Sequence, residues 1–209
     1  NVFINDDDQN IQIANIEKNK SLHTSCFKKY SYAFNGNNKT IYKGEIINNR
    51  GKTKLTINIK NNKSSNIIIP ENIKHLKSIV LAAYSISNVL GINDNNFQQA
   101  LRTFELPKGR GKIIKYNNCR IIDDTYNANP SSMKLGLDRV ANMQTKGKKI
   151  IVLGDMLELG NDEIREHEEL AKLINFKNND IIITFGKLME NTFKKITHNK
   201  SKIFHFTDF

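Results

Sequence analysis

Cysteine is scarce in this sequence, long apolar runs are missing, and its many lysines nowhere form a stripe. The two cysteines, Cys26 and Cys119, stand far apart and in no metal-ligand spacing, which fits a reduced, cytoplasmic protein. No apolar run is long enough to cross a membrane, and no charged-then-apolar stretch opens the chain, so no membrane partner is expected. The net charge of +11 and pI near 9.6 would admit nucleic acid or an acidic substrate. The lysines, however, are scattered among asparagines and isoleucines. Clusters as short as Lys146-Gly147-Lys148-Lys149, without interleaved aromatics, reflect compositional bias, and nucleic acid is not the expected partner. The hydrophobic fraction is a low 38%, yet it falls in periodic runs, so a folded core is expected. At 209 residues the chain suits one large or two small domains. It opens on Asn1 inside a strand-like run and closes on an apolar stretch from Phe204, and we read it as a piece of something longer.

Two rhythms divide the chain. Val2-Phe3-Ile4 is a short strand candidate running into Asn5-Asp6-Asp7-Asp8, and residues 27–69 read as several strands broken at Asn35-Gly36, Arg50-Gly51 and Pro70. From His75 the period becomes helical. Leu76, Ile79, Val80, Ala83, Ile86 and Leu90 fall on one face, Gly91 stops the helix, and Asp94 can cap a second one carrying Phe97, Ala100, Leu101 and Phe104. Pro107-Lys108-Gly109-Arg110-Gly111-Lys112 breaks this pattern, and the expected domain boundary gives 1–108 and 109–209. Beyond it, residues 112–123 read as a hairpin turning at Asn117-Asn118. Helix and strand then alternate. Residues 149–153 form a continuous apolar run expected of a strand covered on both faces, followed by strands over 180–185 and 202–206. The fold class is α/β, with a Rossmann-like, mostly parallel sheet after the boundary.

The second part is organised around Asp123-Asp124-Thr125-Tyr126-Asn127-Ala128-Asn129-Pro130-Ser131-Ser132. A strand runs into two carboxylates, a short polar loop and a helix start, with Asn129 as N-cap and Pro130 in the first helical position. The N–H groups of Ser131, Ser132 and Met133 are expected to face an anion, and the carboxylates to accept from hydroxyls or meet an amine. The expected site is a crevice at the carboxyl end of a strand; the plain alternative is an ordinary capped corner.

Residues 123–133, followed by Ile-Val-Leu-Gly-Asp-Met-Leu-Glu-Leu-Gly at 151–160 and by His167, resemble the C-terminal domain of the Mur ligase family, in the wording of its dipeptide-adding branch. More faintly, Phe3 to Asp8, the His75 helix and the stretch from Phe104 to Arg110 resemble the end of the family's central ATPase domain and the hinge after it. The resemblance implies an ATP-dependent ligase of peptidoglycan precursor synthesis, joining D-alanyl-D-alanine to UDP-N-acetylmuramoyl tripeptide with Mg²⁺. It implies nucleotide contacts from Arg110 to the phosphates, Asp124 to the ribose and His75 near the adenine, and a dipeptide pocket formed by Tyr126, Asn127, Asn129 and Ser131. Asp155 and Glu158 read as loop and cap residues first and pocket rim second, and His167 as a packing or solvent-facing histidine ahead of a catalytic base.

The departures from the family pattern are specific. No Gly-x-x-Gly-Lys-Thr run occurs in the sequence, and with it go the modified lysine and Mg²⁺ ligands that the resemblance places in that half. Leu76 and Ile79 stand where the family has asparagines. The expected function is therefore that of a ligase piece inactive by itself, with a separately encoded N-terminal half as one partner. The alternatives are a non-catalytic nucleotide- or dipeptide-binding module, a basic nucleic-acid binder, and a folate-polyglutamate ligase, the last disfavoured by the wording of residues 126–130.

Overall fold

The computed structural model describes residues 1–11, 28–49, 51–61, 63–174, 180–196 and 202–208. Cys26, Arg50 and Phe209 lie outside the described residues. The chain divides into two compact units, Asn1–Glu105 and Leu106–Phe209.

The first unit is a five-stranded sheet in the order β1 (Val2–Asn5), β2 (Lys29–Ala33), β3 (Tyr42–Asn49), β4 (Lys52–Ile59) and β5 (Lys63–Ile69). The first three run parallel and the last three form an antiparallel meander. Alternation along β4 sends Leu55 and Ile57 inward, where each is wholly buried. Two helices follow, α1 (Lys77–Val89) and α2 (Asp94–Thr103). Gly44 lets α1 settle on the sheet, because a Cβ there would lie 2.9 Å from Leu81 Cδ2 and 2.9 Å from the Phe34 ring.

The face of α1 that meets the sheet is not the expected one. Val80, Leu81, Tyr84 and Ser85 are buried, whereas Ile79, Ile86 and Leu90 are 62%, 41% and 69% exposed. The helix carries apolar residues on two faces, so its periodicity does not choose between them. The buried face is the one on which Tyr84 finds polar partners, its hydroxyl lying 2.6 Å from Ser65 Oγ and 2.8 Å from Asp94 Oδ1. Because a carboxylate accepts, the phenol hydrogen goes to Asp94 and the Ser65 hydroxyl donates to the phenol. Asp94 is thus engaged, and Asn93 caps α2 by accepting from the Asn96 N–H at 2.9 Å.

The second unit starts with the hairpin β6 (Lys112–Tyr116) and β7 (Cys119–Asp123), with Asn117 at φ 49° in its turn. Then come α3 (Pro130–Asn142), β8 (Ile150–Gly154), α4 (Glu163–Leu173), β9 (Ile181–Phe185), α5 (Met189–Lys195) and β10 (Ile203–Phe206). Strands β10, β9 and β8 form a parallel sheet in that order, a Rossmann-like arrangement. Leu137 of α3, Leu170 of α4 and Met189 of α5 share one core with Leu153, Ile182 and Ile203 of the sheet. Lys149 closes α3, its Nζ donating to the Val140 carbonyl at 2.6 Å and the Ala141 carbonyl at 3.1 Å.

Cover on both faces of β8 is not found. Ile150 is 62% and Val152 66% exposed, and on β10 Phe204 and Phe206 are 47% and 51% exposed. Strands advancing in one direction through right-handed crossovers lay their helices on one side, so α4 and α5 fill one face, and Leu137 brings α3 into the same core.

Candidate functional site

Six of the seven expected site residues lie in the second unit, on the loop before β6, the connection between β7 and α3 and, for Ser131, the first turn of α3. The strand pairing differs from the expected crevice. Among the described residues β7 pairs only with β6, so the Asp123 corner sits at a hairpin end rather than at the carboxyl end of a parallel-sheet strand. Residues 107–111 clasp it. The Gly111 N–H donates to the Asp123 carbonyl at 2.7 Å, the Tyr126 N–H to the Gly109 carbonyl at 3.0 Å, and the Gly109 N–H to Asp123 Oδ2 at 3.1 Å. Only glycine suits position 109, where φ is +73° and a Cβ would come 3.0 Å from the Tyr126 nitrogen.

The two carboxylates separate in role. Asp123 also accepts from Thr125 Oγ1 at 2.7 Å. The Thr125 hydroxyl, then the Gly109 and Thr125 amides, hold its carboxyl below the ordinary range. Its oxygens close the corner, contrary to the expectation that both carboxylates await a ligand. Asp124 is exposed. Its charge acts on Arg139, whose guanidinium donates to the Gly111 carbonyl at 2.7 Å; burial lowers the Arg139 pKa and Asp124 opposes that shift. Sequence reasoning missed Arg139, a helical arginine with no flag of its own.

Arg110 lies over the ring of Tyr126, with the guanidinium carbon 3.6 Å from the ring centroid. Both are exposed, Tyr126 to 66%. Asn129 and Ser132 form a capping box. Asn129 Oδ1 accepts from the Ser132 N–H at 2.9 Å, and Ser132 Oγ accepts from the Asn129 N–H at 3.1 Å. With the Met133 N–H donating to the Asn129 carbonyl at 2.9 Å, two of the three N–H groups expected to face an anion are already satisfied. Asn127 Oδ1 accepts from the Ala128 N–H at 2.9 Å, and Ser131 is exposed. His75 belongs to the first unit, half-buried in the 3-10 turn Glu71–Leu76.

The Mur ligase, glutamate ligase domain family matches residues 109–209. Those residues are a Mur ligase C-terminal domain. The chain is 40% identical over 114 residues to the UDP-N-acetylmuramoyl-tripeptide–D-alanyl-D-alanine ligase of Rickettsia prowazekii, a match covering 54% of this chain and 25% of that protein. It is 33% identical over 140 residues to the Bacillus subtilis protein of the same name, covering 65% of this chain and 30% of that one. The chain thus spans less than a third of the length of either relative. In fold it is similar to MurF from Acinetobacter baumannii, with a TM-score of 0.75 at 23% identity over 98% of this chain and 42% of that one. It is also similar to a Thermotoga maritima MurF solved in complex with ADP, with a TM-score of 0.65 at 22% identity over 87% of this chain and 40% of that one.

Within this Mur ligase C-terminal domain the second motif builds structure. Asp155 caps α5, accepting from the Met189 N–H at 2.7 Å and the Leu188 N–H at 3.3 Å. Glu158 is exposed at φ +63°, in the left-handed region. His167 is wholly buried; its Nε2 accepts from the Met156 N–H at 3.0 Å and its Nδ1–H donates to the Glu163 carbonyl at 2.6 Å. Both ring nitrogens are thus engaged with backbone, which ties the 154–160 loop to α4. On the bare sheet face the last residues of the three strands, Gly154, Phe185 and Phe206, line an apolar concavity of about 500 Å³ with Val152, Ile183 and Asp208.

Proposed function

We propose that this chain is part of a cytoplasmic, ATP-dependent ligase that joins D-alanyl-D-alanine to UDP-N-acetylmuramoyl tripeptide. The observation that carries the reading is the guanidinium of Arg110 laid on the exposed Tyr126 ring at the Asp123–Pro130 corner. Among the described residues that guanidinium has no carboxylate or carbonyl partner, whereas Arg120, Arg139 and Arg165 each donate to one. A forked, permanently charged donor set suits a phosphate. Within the second unit Arg110 meets the ATP phosphates and Asp124 the ribose hydroxyls. Asn127 and Asn129 keep their Nδ2 donors for the carboxylate of the dipeptide, flanked by Tyr126 and Ser131.

ATP supplies the activation that turns the tripeptide carboxylate into an acyl phosphate open to attack by the dipeptide amine. The residues of this chain hold and orient the two reactants, which converts their encounter into a step within one complex. Among the described residues no group of three His, Cys, Asp or Glu is arranged to hold a metal ion, and the reading assigns Mg²⁺ no ligand here.

Isothermal calorimetry tests the reading with ADP and with D-alanyl-D-alanine, each titrated into the 209-residue chain. Heat is expected with both, and none with either would sink it. Without a Gly-x-x-Gly-Lys-Thr run the chain alone is expected to release no phosphate from ATP in the presence of both substrates. Adding a protein that supplies the Mur ligase N-terminal half separates two readings. Restored turnover identifies a working piece. Ligand binding without turnover identifies a non-catalytic module.

A further inference from the structure

Tyr126 sits in the middle of the proposed dipeptide pocket, yet one face of its ring is already taken. The Arg110 guanidinium carbon lies 3.6 Å from the ring centroid, well within the range of a cation–π contact. The Tyr126 backbone is tied to the same loop, since its N–H donates to the Gly109 carbonyl at 3.0 Å and Gly109 packs against its main chain. Gly109 and Gly111, both at positive φ and both buried, flank Arg110, whose own side chain is exposed and lies over the ring. An arginine held by a carboxylate has its charge neutralised and its N–H fork filled. An arginine held by a ring keeps both.

We infer that Tyr126 is a positioning residue whose ring holds Arg110 so that its N–H fork remains open to a phosphate-class anion. The inference rests on the proposed phosphate role of Arg110, and it reassigns Tyr126 from a wall of the dipeptide pocket to a shelf for the cation. The hydroxyl of Tyr126 plays no part in it; the aromatic face does.

The test uses the full chain, with ADP as probe and two readouts. The first is the ring-current shift of the Arg110 side-chain protons by NMR, measured without ligand. The second is ADP affinity by calorimetry. Tyr126→Leu is expected to abolish the ring-current shift and to weaken ADP about two- to fivefold, the worth of an exposed cation–π contact. Tyr126→Phe, which keeps the ring, is expected to restore both. In an Arg110→Ala background, Tyr126→Leu is expected to cost nothing further. ADP affinity unchanged in Tyr126→Leu overturns the inference while leaving the phosphate role of Arg110 intact. Additive losses in the double variant also overturn it, because the ring then touches the ligand directly. No ADP binding by the wild type overturns the phosphate role and the inference together, and an unshifted Arg110 spectrum removes the stack itself. Tyr126 is largely exposed, so these variants leave the core untouched.

Discussion

Asp123 and Tyr84 are two residues whose titration reports on their surroundings. The Thr125 hydroxyl and the Gly109 amide favour the ionised form of Asp123 and lower its pKa from the ordinary 3.8. The stability this gives the corner is present above 3.8 and is lost as pH falls through the lowered folded-state value. The Gly109 amide resonance is therefore expected to titrate with a midpoint below pH 3.8, and Asp123→Asn to remove that titration. Tyr84 behaves in the opposite sense. Burial pushes its phenol up to about 12, with the Asp94 carboxylate adding to the rise. Its contribution is full below pH 10.0 and is lost as pH rises through about 12. Absorbance titration should find one tyrosine ionising near there, returning toward 10.0 in Asp94→Ala. Neither behaviour is legible in sequence. Asp123-Asp124 reads as a matched pair, and only the fold of the 107–111 loop assigns one carboxylate to the backbone and leaves the other exposed.

Caps and turns decide at the scale of elements. The start of α3 was open to sequence reading because Asn129 and Pro130 act through their own backbone chemistry, and that is local. The reciprocal bond from Ser132 adds to it. Asn129→Ala removes the capping box and is expected to lower stability by about 1 kcal/mol in urea denaturation. Gly109→Ala forces a side chain into left-handed φ against the Tyr126 backbone, and is expected to cost roughly 1–2 kcal/mol while displacing the Arg110 stack. His167→Ala leaves the Met156 N–H without its acceptor inside the core, and should cost about 2–4 kcal/mol by the same assay. Helix α1 marks where periodicity runs out. Two apolar faces fit the same spacing, and a pair of polar partners for Tyr84 selects the buried one. The cap of α2 slips by one residue for the same reason: Asp94 is drawn to the Tyr84 hydroxyl and Asn93 takes its place.

For the molecule as a whole, the parallel order of β8, β9 and β10 follows from alternating strand and helix, and was legible. Which side the helices cover was not, because an unbroken apolar run reads alike whether one face or both are packed. The bare face gives a direct check. Val152→Thr is expected to change stability by no more than about 0.5 kcal/mol, while Ile182→Ala, on the packed face of the neighbouring strand, should cost about 2–5 kcal/mol. A large loss from Val152→Thr would mean that the face is covered. The family assignment of residues 109–209 rests on this unit, and the proposed chemistry draws on its hairpin end.

The stacked arginine has one last consequence, which concerns salt. A cation gripped by an opposite charge loosens as electrolyte rises, but one resting on an aromatic plane is held by a short-range charge–quadrupole attraction and dispersion, which salt screens far less. Arg110 should therefore stay in place in brine strong enough to weaken its attraction for a phosphate, so that ionic strength tunes the capture of nucleotide without disordering the hand that makes it.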